Sequence, residues 1–321
     1  MVAGVVLCAS LAAVGVDDGV DAGSFVRDGI GARAYGMGGA FVSLADDLST
    51  TVWNPAGLAQ MEGVSVGGMY TDKFGVGIDF QSLGATARVS DFGIGATMVR
   101  SSVEVPVTDE GGGDSGFFSW VDTLLVGSVA YDLGASLLDL SDGAVSRLLV
   151  GGNVKYYHQS ALEGRAGGLG FDLSLLTEVS FEAGTVSFGM TSLDVGRTAI
   201  EWQGTTGEPT NYVPWIQKLG FCVELLEETL RIAADADLAL GRQGLDRMHL
   251  GVEFAPIPQL AVRGGLILGA DGELRLSAGG TIQWRGLFLH YAYVPHTALG
   301  TSHILSLQLN FPAPWEEAEE E

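Results

Sequence analysis

The chain is short of basic charge, of cysteine and, beyond its first residues, of long apolar runs, and each shortage excludes a class of protein. Only 16 Lys and Arg stand against 39 Asp and Glu, a formal net charge of −23. A protein that grips a phosphate backbone needs a basic footprint, so the sequence predicts no nucleic-acid partner. The acidic ending "WEEAEEE" carries part of that charge and reads as a solvated tail over residues 312–321. Of the two cysteines, Cys8 lies in an apolar opening stretch and only Cys222 remains after it, which leaves no internal disulfide to form. After that opening no stretch reaches the roughly 18 uninterrupted apolar residues that a membrane-crossing helix requires.

Catalytic and metal-binding signatures are missing as well. There is no H-E-x-x-H, Cys-x-x-Cys, EF-hand loop or G-x-S-x-G elbow. The five histidines, His158, His249, His290, His296 and His303, occur singly. The expectation is a protein with no enzymatic activity, no metal and no cofactor, although a Ser/His pair assembled by the fold stays open because such sites are recognised by geometry.

What the sequence has is glycine and alternation. Forty-eight glycines accompany nine prolines, with 47% hydrophobic and 17% charged residues, a composition that suits turns and close-packed strands better than helices. In "LRLSAGGTIQW" Leu274, Leu276, Ala278, Gly280, Ile282 and Trp284 share one face against Arg275, Ser277, Gly279, Thr281 and Gln283. Period two means strand. "HILSLQLNF" repeats the split, as do "TLRIAADADLAL", where Arg231, Asp235 and Asp237 form the polar face, and "LLVGGNVKYY", where Asn153 and Lys155 do. About fourteen such segments begin near Val64, Gly77, Phe92, Asp122, Leu148, Gly168, Thr185, Trp215, Thr229, Arg247, Leu260, Leu274, Leu287 and His303, many near the 9 to 11 residues of a tilted membrane strand.

Connections on one side are short ("VSD", "SFEAG", "APIP", "RG") and on the other mostly longer ("EVPVTDEGGGDSGFFSW", "QSALEGRAG", "GRTAIEWQGTTGEPTN", "VPHTALGT"). The stretch "DLGASLLDLSDGAVS" is long on the short side and can hold a small helix. Alternation alone fits a soluble sandwich as well as a membrane barrel. Three features favour the barrel: large apolar residues on successive faces, aromatic residues near strand ends (Trp215, Trp284, Tyr293, Phe311), and an apparent export signal. That signal is "MVAGVVLCASLAAVG", residues 1–15, which lacks a basic start but turns abruptly polar at "VDDGVDAG". "VVLC" lacks the small residue expected before a lipidated cysteine.

Between signal and first strand lies "GARAYGMGGAFVSLADDLSTTVWNPAGLA". It is not a dinucleotide loop, because Phe41 stands where the third glycine belongs and no strand precedes it, and it lacks the Gly-Lys-Ser/Thr ending of a phosphate loop. A glycine turn, an amphipathic run with Phe41, Leu44 and Leu48 at helical spacing, and a proline turn remain.

This stretch resembles the N-terminal signature of the FadL-type outer-membrane transporters for hydrophobic compounds, and still more that of their PorV/PorQ relatives; "HYAYVPHTALGTSHILSLQLNF" resembles their last hairpin. The resemblance implies an all-β fold, a transmembrane antiparallel barrel of about 14 strands over residues 63–311, with residues 16–62 folded into the lumen as a hatch. It assigns the hatch motif to Asn54, Pro55 and Ala56, with Gly36, Gly38 and Gly39 packing the turn against the wall. Phe311 matches the terminal aromatic read by outer-membrane assembly machinery, but "PAPWEEAEEE" follows it. Candidate lumen-lining residues are Arg231, Asp235, Asp237, Arg263, Arg275 and Arg285, and Asp46 and Asp47 are candidates to tie the hatch to those arginines.

The function expected is passive transport of hydrophobic small molecules across a bacterial outer membrane, with sideways release into the lipid. The alternative is a PorV/PorQ-like accessory or shuttle barrel whose outer loops bind a secreted protein. Partners on these readings are outer-membrane lipid, a hydrophobic small molecule or a secreted protein, and the assembly machinery. A third reading, a soluble exported β protein, predicts release without detergent.

Overall fold

A computed structural model of the chain describes residues 22–108, 114–136, 145–205, 207–240 and 244–313. The expected signal peptide, the start of the expected hatch and nearly all of the acidic tail lie outside the described residues.

One antiparallel sheet contains sixteen strands: β1 (Val64–Lys73), β2 (Ile78–Val89), β3 (Phe92–Thr108), β4 (Asp114–Asp132), β5 (Val145–Ala161), β6 (Gly164–Phe181), β7 (Gly184–Leu193), β8 (Thr198–Gln203), β9 (Thr210–Val213), β10 (Trp215–Leu225), β11 (Leu230–Leu240), β12 (Leu245–Ile257), β13 (Leu260–Gly269), β14 (Leu274–Trp284), β15 (Leu287–His296) and β16 (Gly300–Phe311). Fourteen of them close a ring, because β5 pairs with β6 and the first strand pairs with the last from Val64↔Phe311 to Tyr70↔Leu305. Closure leaves no edge among these strands, so nearly every ladder hydrogen bond is made within the wall. The remaining two, β8 and β9, form a hairpin that pairs with the far end of β6 through Arg165↔Gln203 and Gly167↔Glu201. Each of the fourteen expected segments falls on one strand of the ring, those from Gly77 and Thr229 beginning one residue before β2 and β11.

Register explains which face is which. Leu274, Leu276, Ile282 and Trp284 point outward and are more than half exposed, as are or nearly are Leu305, Leu307 and Phe311 on β16 and Leu250 and Val252 on β12. A water-soluble surface does not carry apolar rows of this extent around its whole girth, whereas hydrocarbon solvates them at no cost. The fold is therefore a transmembrane barrel. The opposite parity turns inward and is polar: Asn153, Lys155, Asp172, Lys218, Asp235, Asp237, His249, Glu253 and Arg263 are all buried.

Two local expectations, on the longer connections and on the run around Phe41, differ from what is found, and the small helix expected after Tyr131 is present. The longer connections are mostly strand: β3 to β6 run 17, 19, 17 and 18 residues, so "QSALEGRAG" contributes only a two-residue turn at Leu162–Glu163. These strands exceed a bilayer crossing by about 7 residues, or roughly 20 Å at the strand rise. The stretch after Tyr131 begins with a helix, Leu133–Ser136, and continues outside the described residues. The run around Phe41, Leu44 and Leu48 is a series of turns, and the helices of the segment are instead α1 (Ala32–Gly36) and α2 (Thr50–Trp53). Helical spacing there reflects burial on several sides. The Asp235 carboxylate accepts the Phe41 and Val42 N–H groups at 2.7 and 2.8 Å, so the wall satisfies backbone donors that a helix would otherwise need to pair.

Residues 22–61 run through the ring from one end to the other. Lys73, Asp246 and Arg247, at the end of the barrel away from both chain termini of the wall, hold residues 25–28, and Leu149 and Leu176 at the other end pack on Ala56 and Leu58. The interior core is thus shared between segment and wall, for example Phe41, Met37 and Trp53 with Cys222 and Ala233.

Candidate functional site

Contact between the segment and the wall depends on missing side chains. Gly38 has φ +66°, and a Cβ there would stand 2.5 Å from the Leu266 nitrogen; a Cβ on Gly265 would in turn stand 2.0 Å from the Gly38 nitrogen. Two glycines facing each other let the backbones meet, which is the physical use of the glycine turn. Gly36 approaches Gly279 in the same way, and Gly39 lies against His249, whose Nδ1 is 2.8 Å from the Gly38 carbonyl oxygen.

Asn54 is fully buried and works in both directions. Its Nδ2 donates to the carbonyls of Val42 (2.7 Å) and Leu175 (3.2 Å), and its Oδ1 accepts the Ala56 N–H (3.2 Å). Pro55 opens the 3-10 turn Pro55–Gln60, where its absent N–H removes no bond, and the Ala56 N–H also reaches Ser174 Oγ on β6 at 2.9 Å. The motif therefore clips two parts of the segment to each other and to the wall.

The strongest electrostatic tie runs opposite in sign to the one expected. Asp46 and Asp47 pair with Arg33 of the segment itself, Asp47 at 3.7 Å, and Asp47 also accepts from Ser49. Arg33 carries the link to the wall: its Nε and Nη2 donate to Glu253 on β12 at 3.0 and 2.9 Å. Arg231 donates to the same carboxylate at 3.0 Å, and Arg263 also binds it. Burial opposes the Arg33 charge, but Asp46, Glu253 and Asp47 outweigh it and hold the guanidinium well above its ordinary pKa. Burial pushes the Asp47 carboxyl up despite Arg33.

The other lining candidates separate. Asp235 holds the segment backbone, and Asp237 takes Lys218 at 2.7 Å and His249 at 3.3 Å. Arg275 is mostly buried near Glu273, at 3.7 Å. Arg285 does not line the lumen: it sits exposed in the tight turn after β14, with its guanidinium 5.1 Å from the Trp284 ring. An Arg-Gly pair at a two-residue turn is a turn signal, and strand parity does not carry through it. Phe311 ends β16 half exposed on the outer face. Among the histidines, His303 also faces outward, accepting or donating to Tyr291 Oη at 2.7 Å. His290 and Ser306 stand opposite in register beside a smaller cavity, but His290 bonds Thr281 (2.6 Å) and Ser306 accepts the Ala32 N–H (2.8 Å), so the open Ser/His pairing is not made there.

Between segment and wall lies a larger cavity, roughly 630 Å³ of empty space counting its open mouth. Val26, Leu124, Val126, Leu193, Val213 and Ile216 give it apolar sides, and Asn153, Lys155, Asp172, Asp194 and Lys218 form a polar end. Lys155 donates to Asp172 and Asp194 at 2.7 and 2.6 Å, so its buried charge is paired. Sequence reasoning placed Asn153 and Lys155 on the inner face yet missed the cavity, along with Arg33 and Glu253. Parity reveals that a side chain points inward. It does not reveal which residue some 220 positions away meets it.

A closed transmembrane barrel, filled by its own N-terminal segment and holding an apolar cavity against that segment, is the class defined here. Solved structures with this fold are the Pseudomonas putida toluene transporter TodX, at TM-score 0.60 and 13% identity over 89% of this chain and 99% of that one, and a second TodX structure at 0.57 and 14%. A TodX monoaromatic hydrocarbon channel mutant matches at 0.56 and 15% over 88% of this chain. No family model and no curated protein sequence matches the chain. The fold implied by the FadL-type resemblance is thus the fold found.

Proposed function

We propose that the chain is an outer-membrane channel through which hydrophobic small molecules cross passively, with residues 16–62 acting as a hatch that blocks straight aqueous flow. The observation that carries this reading is the cavity: apolar walls in an otherwise polar lumen, walled on one side by the segment. The likeness in fold to a toluene transporter supports it.

Cargo leaves sideways on this reading, passing from apolar cavity to hydrocarbon without crossing water. The exit we propose lies beside β6. Pairing of β6 with β7 ends at Leu173↔Ser192 and pairing with β8 resumes only at Gly167↔Glu201, so the ladder is interrupted over Gly168–Asp172. The turn after β7 covers that interval, with the Val195 N–H donating to the Phe171 carbonyl at 2.9 Å, and Asp172, Leu193 and Asp194 line the cavity behind it.

The test is uptake of labelled toluene by cells expressing the chain. Val213→Trp, which fills the cavity, is expected to lower uptake at least severalfold while the unboiled protein still migrates as a closed barrel on a denaturing gel. Unchanged uptake by that variant refutes the reading. A protein-binding role has one feature in its favour: Leu162 and Phe117, at or near the tips of the projecting strands, are 75% and 67% exposed. Co-purification of a secreted protein that is lost in Leu162→Ser supports that alternative.

A further inference from the structure

The turn that covers the gap in the β6 ladder is anchored through one carboxylate. Asp194 follows β7 directly and is buried. Its Oδ2 accepts from Lys155 Nζ on β5 at 2.6 Å, and the hydroxyls of Tyr157 on β5 and Thr198 on β8 donate to the same carboxylate at 3.1 and 2.8 Å. The Asp194 N–H in turn donates to Asp172 Oδ1 on β6 at 2.8 Å, and that oxygen also takes Lys155 Nζ at 2.7 Å. One lysine thus joins a carboxylate of the wall to a carboxylate of the turn.

The β6 backbone is shaped to receive this turn. A Cβ on Gly170 would stand 2.6 Å from both Asp194 Oδ1 and Thr198 Oγ1, and one on Gly168 would stand 2.1 Å from the Ala199 carbonyl oxygen. Missing side chains let the turn lie directly on β6 where the ladder is interrupted. The turn itself is strained: Asp194 and Arg197 have φ +52° and +71°, a conformation that persists in residues with a side chain only where the surroundings hold it. Losing the anchor therefore favours movement of the turn.

The charges are arranged for release as well as for closure. When Asp194 leaves, Lys155 and Asp172 remain a matched pair on adjacent wall strands, so no buried charge is orphaned there. β7 runs away from the end that holds the chain termini of the wall, which places the turn toward the far mouth, where a freed carboxylate regains water. We propose that Asp194 is the latch of the exit: its pairing with Lys155 holds the turn Asp194–Arg197 over β6, and breaking that pair lets the turn swing aside and joins the cavity to the lipid. This rests on the exit proposed beside β6 and adds the residue that holds it shut.

The experiment pairs hydrogen exchange of the purified full chain in detergent, read on a peptide covering residues 193–200, with toluene uptake by cells. Asp194→Asn keeps the contacts and drops the charge: the amide oxygen accepts from Lys155, and the amide NH2 donates to the hydroxyls of Tyr157 and Thr198, which accept as well as donate. Exchange of that peptide is expected to quicken at least about tenfold while β10 exchanges as in the wild type, and uptake to rise severalfold. Lys155→Met leaves Asp172 and Asp194 facing each other unpaired and should loosen the turn further. Adding Asp194→Asn to Lys155→Met should tighten it again, because a repulsion is removed, whereas loss of packing alone predicts that the two changes add. If Lys155→Met does not fold, Asp194→Asn decides alone. Wild-type exchange in Asp194→Asn, or further loosening when it is added to Lys155→Met, overturns the latch and leaves the cavity and its exit standing. Faster exchange with no rise in uptake separates the turn from the passage of cargo and overturns the latch too. Absence of toluene uptake by the wild type overturns the transport reading and the latch with it.

Discussion

Replacing Glu253 by Gln tests whether the N-terminal segment is held in the lumen by charge. The Glu253 carboxylate takes the guanidinium of Arg33 from the segment and those of Arg231 and Arg263 from neighbouring strands, and its side chain is only 3% exposed. Gln keeps the shape and removes the charge, leaving three guanidiniums close together with Asp46, Asp47, Glu224 and Glu228 as the remaining acidic partners. Removing one partner of a buried pair costs about 3–5 kcal/mol. The wall keeps its ladder hydrogen bonds, so the loss falls on docking of the segment. At about 1.4 kcal/mol per decade, a loss of 3 kcal/mol raises the undocked fraction roughly a hundredfold. Planar-bilayer recording is the assay: Glu253→Gln is expected to show frequent large openings that the wild type lacks, with protease cleavage between residues 22 and 61 and an unaltered mobility shift of the unboiled barrel. Arg33→Met, which leaves Glu253 with two arginines, should open less often than Glu253→Gln. The double variant should open less than the sum of the two, because both remove one interaction. Wild-type conductance and protection in Glu253→Gln refute the reasoning.

Four further outcomes follow from the same geometry. Gly265→Val, whose Cβ would stand 2.0 Å from the Gly38 nitrogen, is expected to lower the temperature at which the heat-modifiable band is lost, with an overpacking cost of about 1–3 kcal/mol; an unchanged transition refutes close backbone contact. Asn54→Ala leaves the Val42 and Leu175 carbonyls without their donor and should cost about 1–3 kcal/mol, read by the same transition. Burial works to raise the Asp28 carboxyl, but Lys73, Arg247 and Arg275 outweigh it and hold its pKa well below the ordinary range. Because the folded value is depressed, the stabilisation is full above the unfolded value of about 4 and is lost as pH falls through the folded one; protease protection of residues 22–30 should therefore fall on acidification below about pH 4, and Asp28→Asn should flatten that dependence. Finally, a cysteine pair at Phe171 and Val195 should lower toluene uptake when oxidised and restore it on reduction, and uptake indifferent to redox state argues against exit beside β6.

Several features were legible from the chain alone because they are local. Alternation with period two places Leu274, Leu276 and Trp284 on one face wherever the strand lies, so the number of ring strands, their positions and their lipid-facing rows follow from sequence. The glycine turn around 36–39 and the proline turn at Asn54–Pro55 were legible as turns, while their packing against the wall was implied by the family resemblance. Parity failed where local rules change: through the turn at Arg285, and in the run from Phe41 to Leu48, where burial on several sides imitates a helix. Only the closed ring decided the rest. Arg33 meets Glu253, Asp235 caps the Phe41 and Val42 N–H groups, and Asn153 comes to face the end of a cavity because closure brings distant strands around one segment. An inward side chain has no local signal for its partner; which charges neutralise one another, and where the lumen stays empty, depends on how the segment threads the ring.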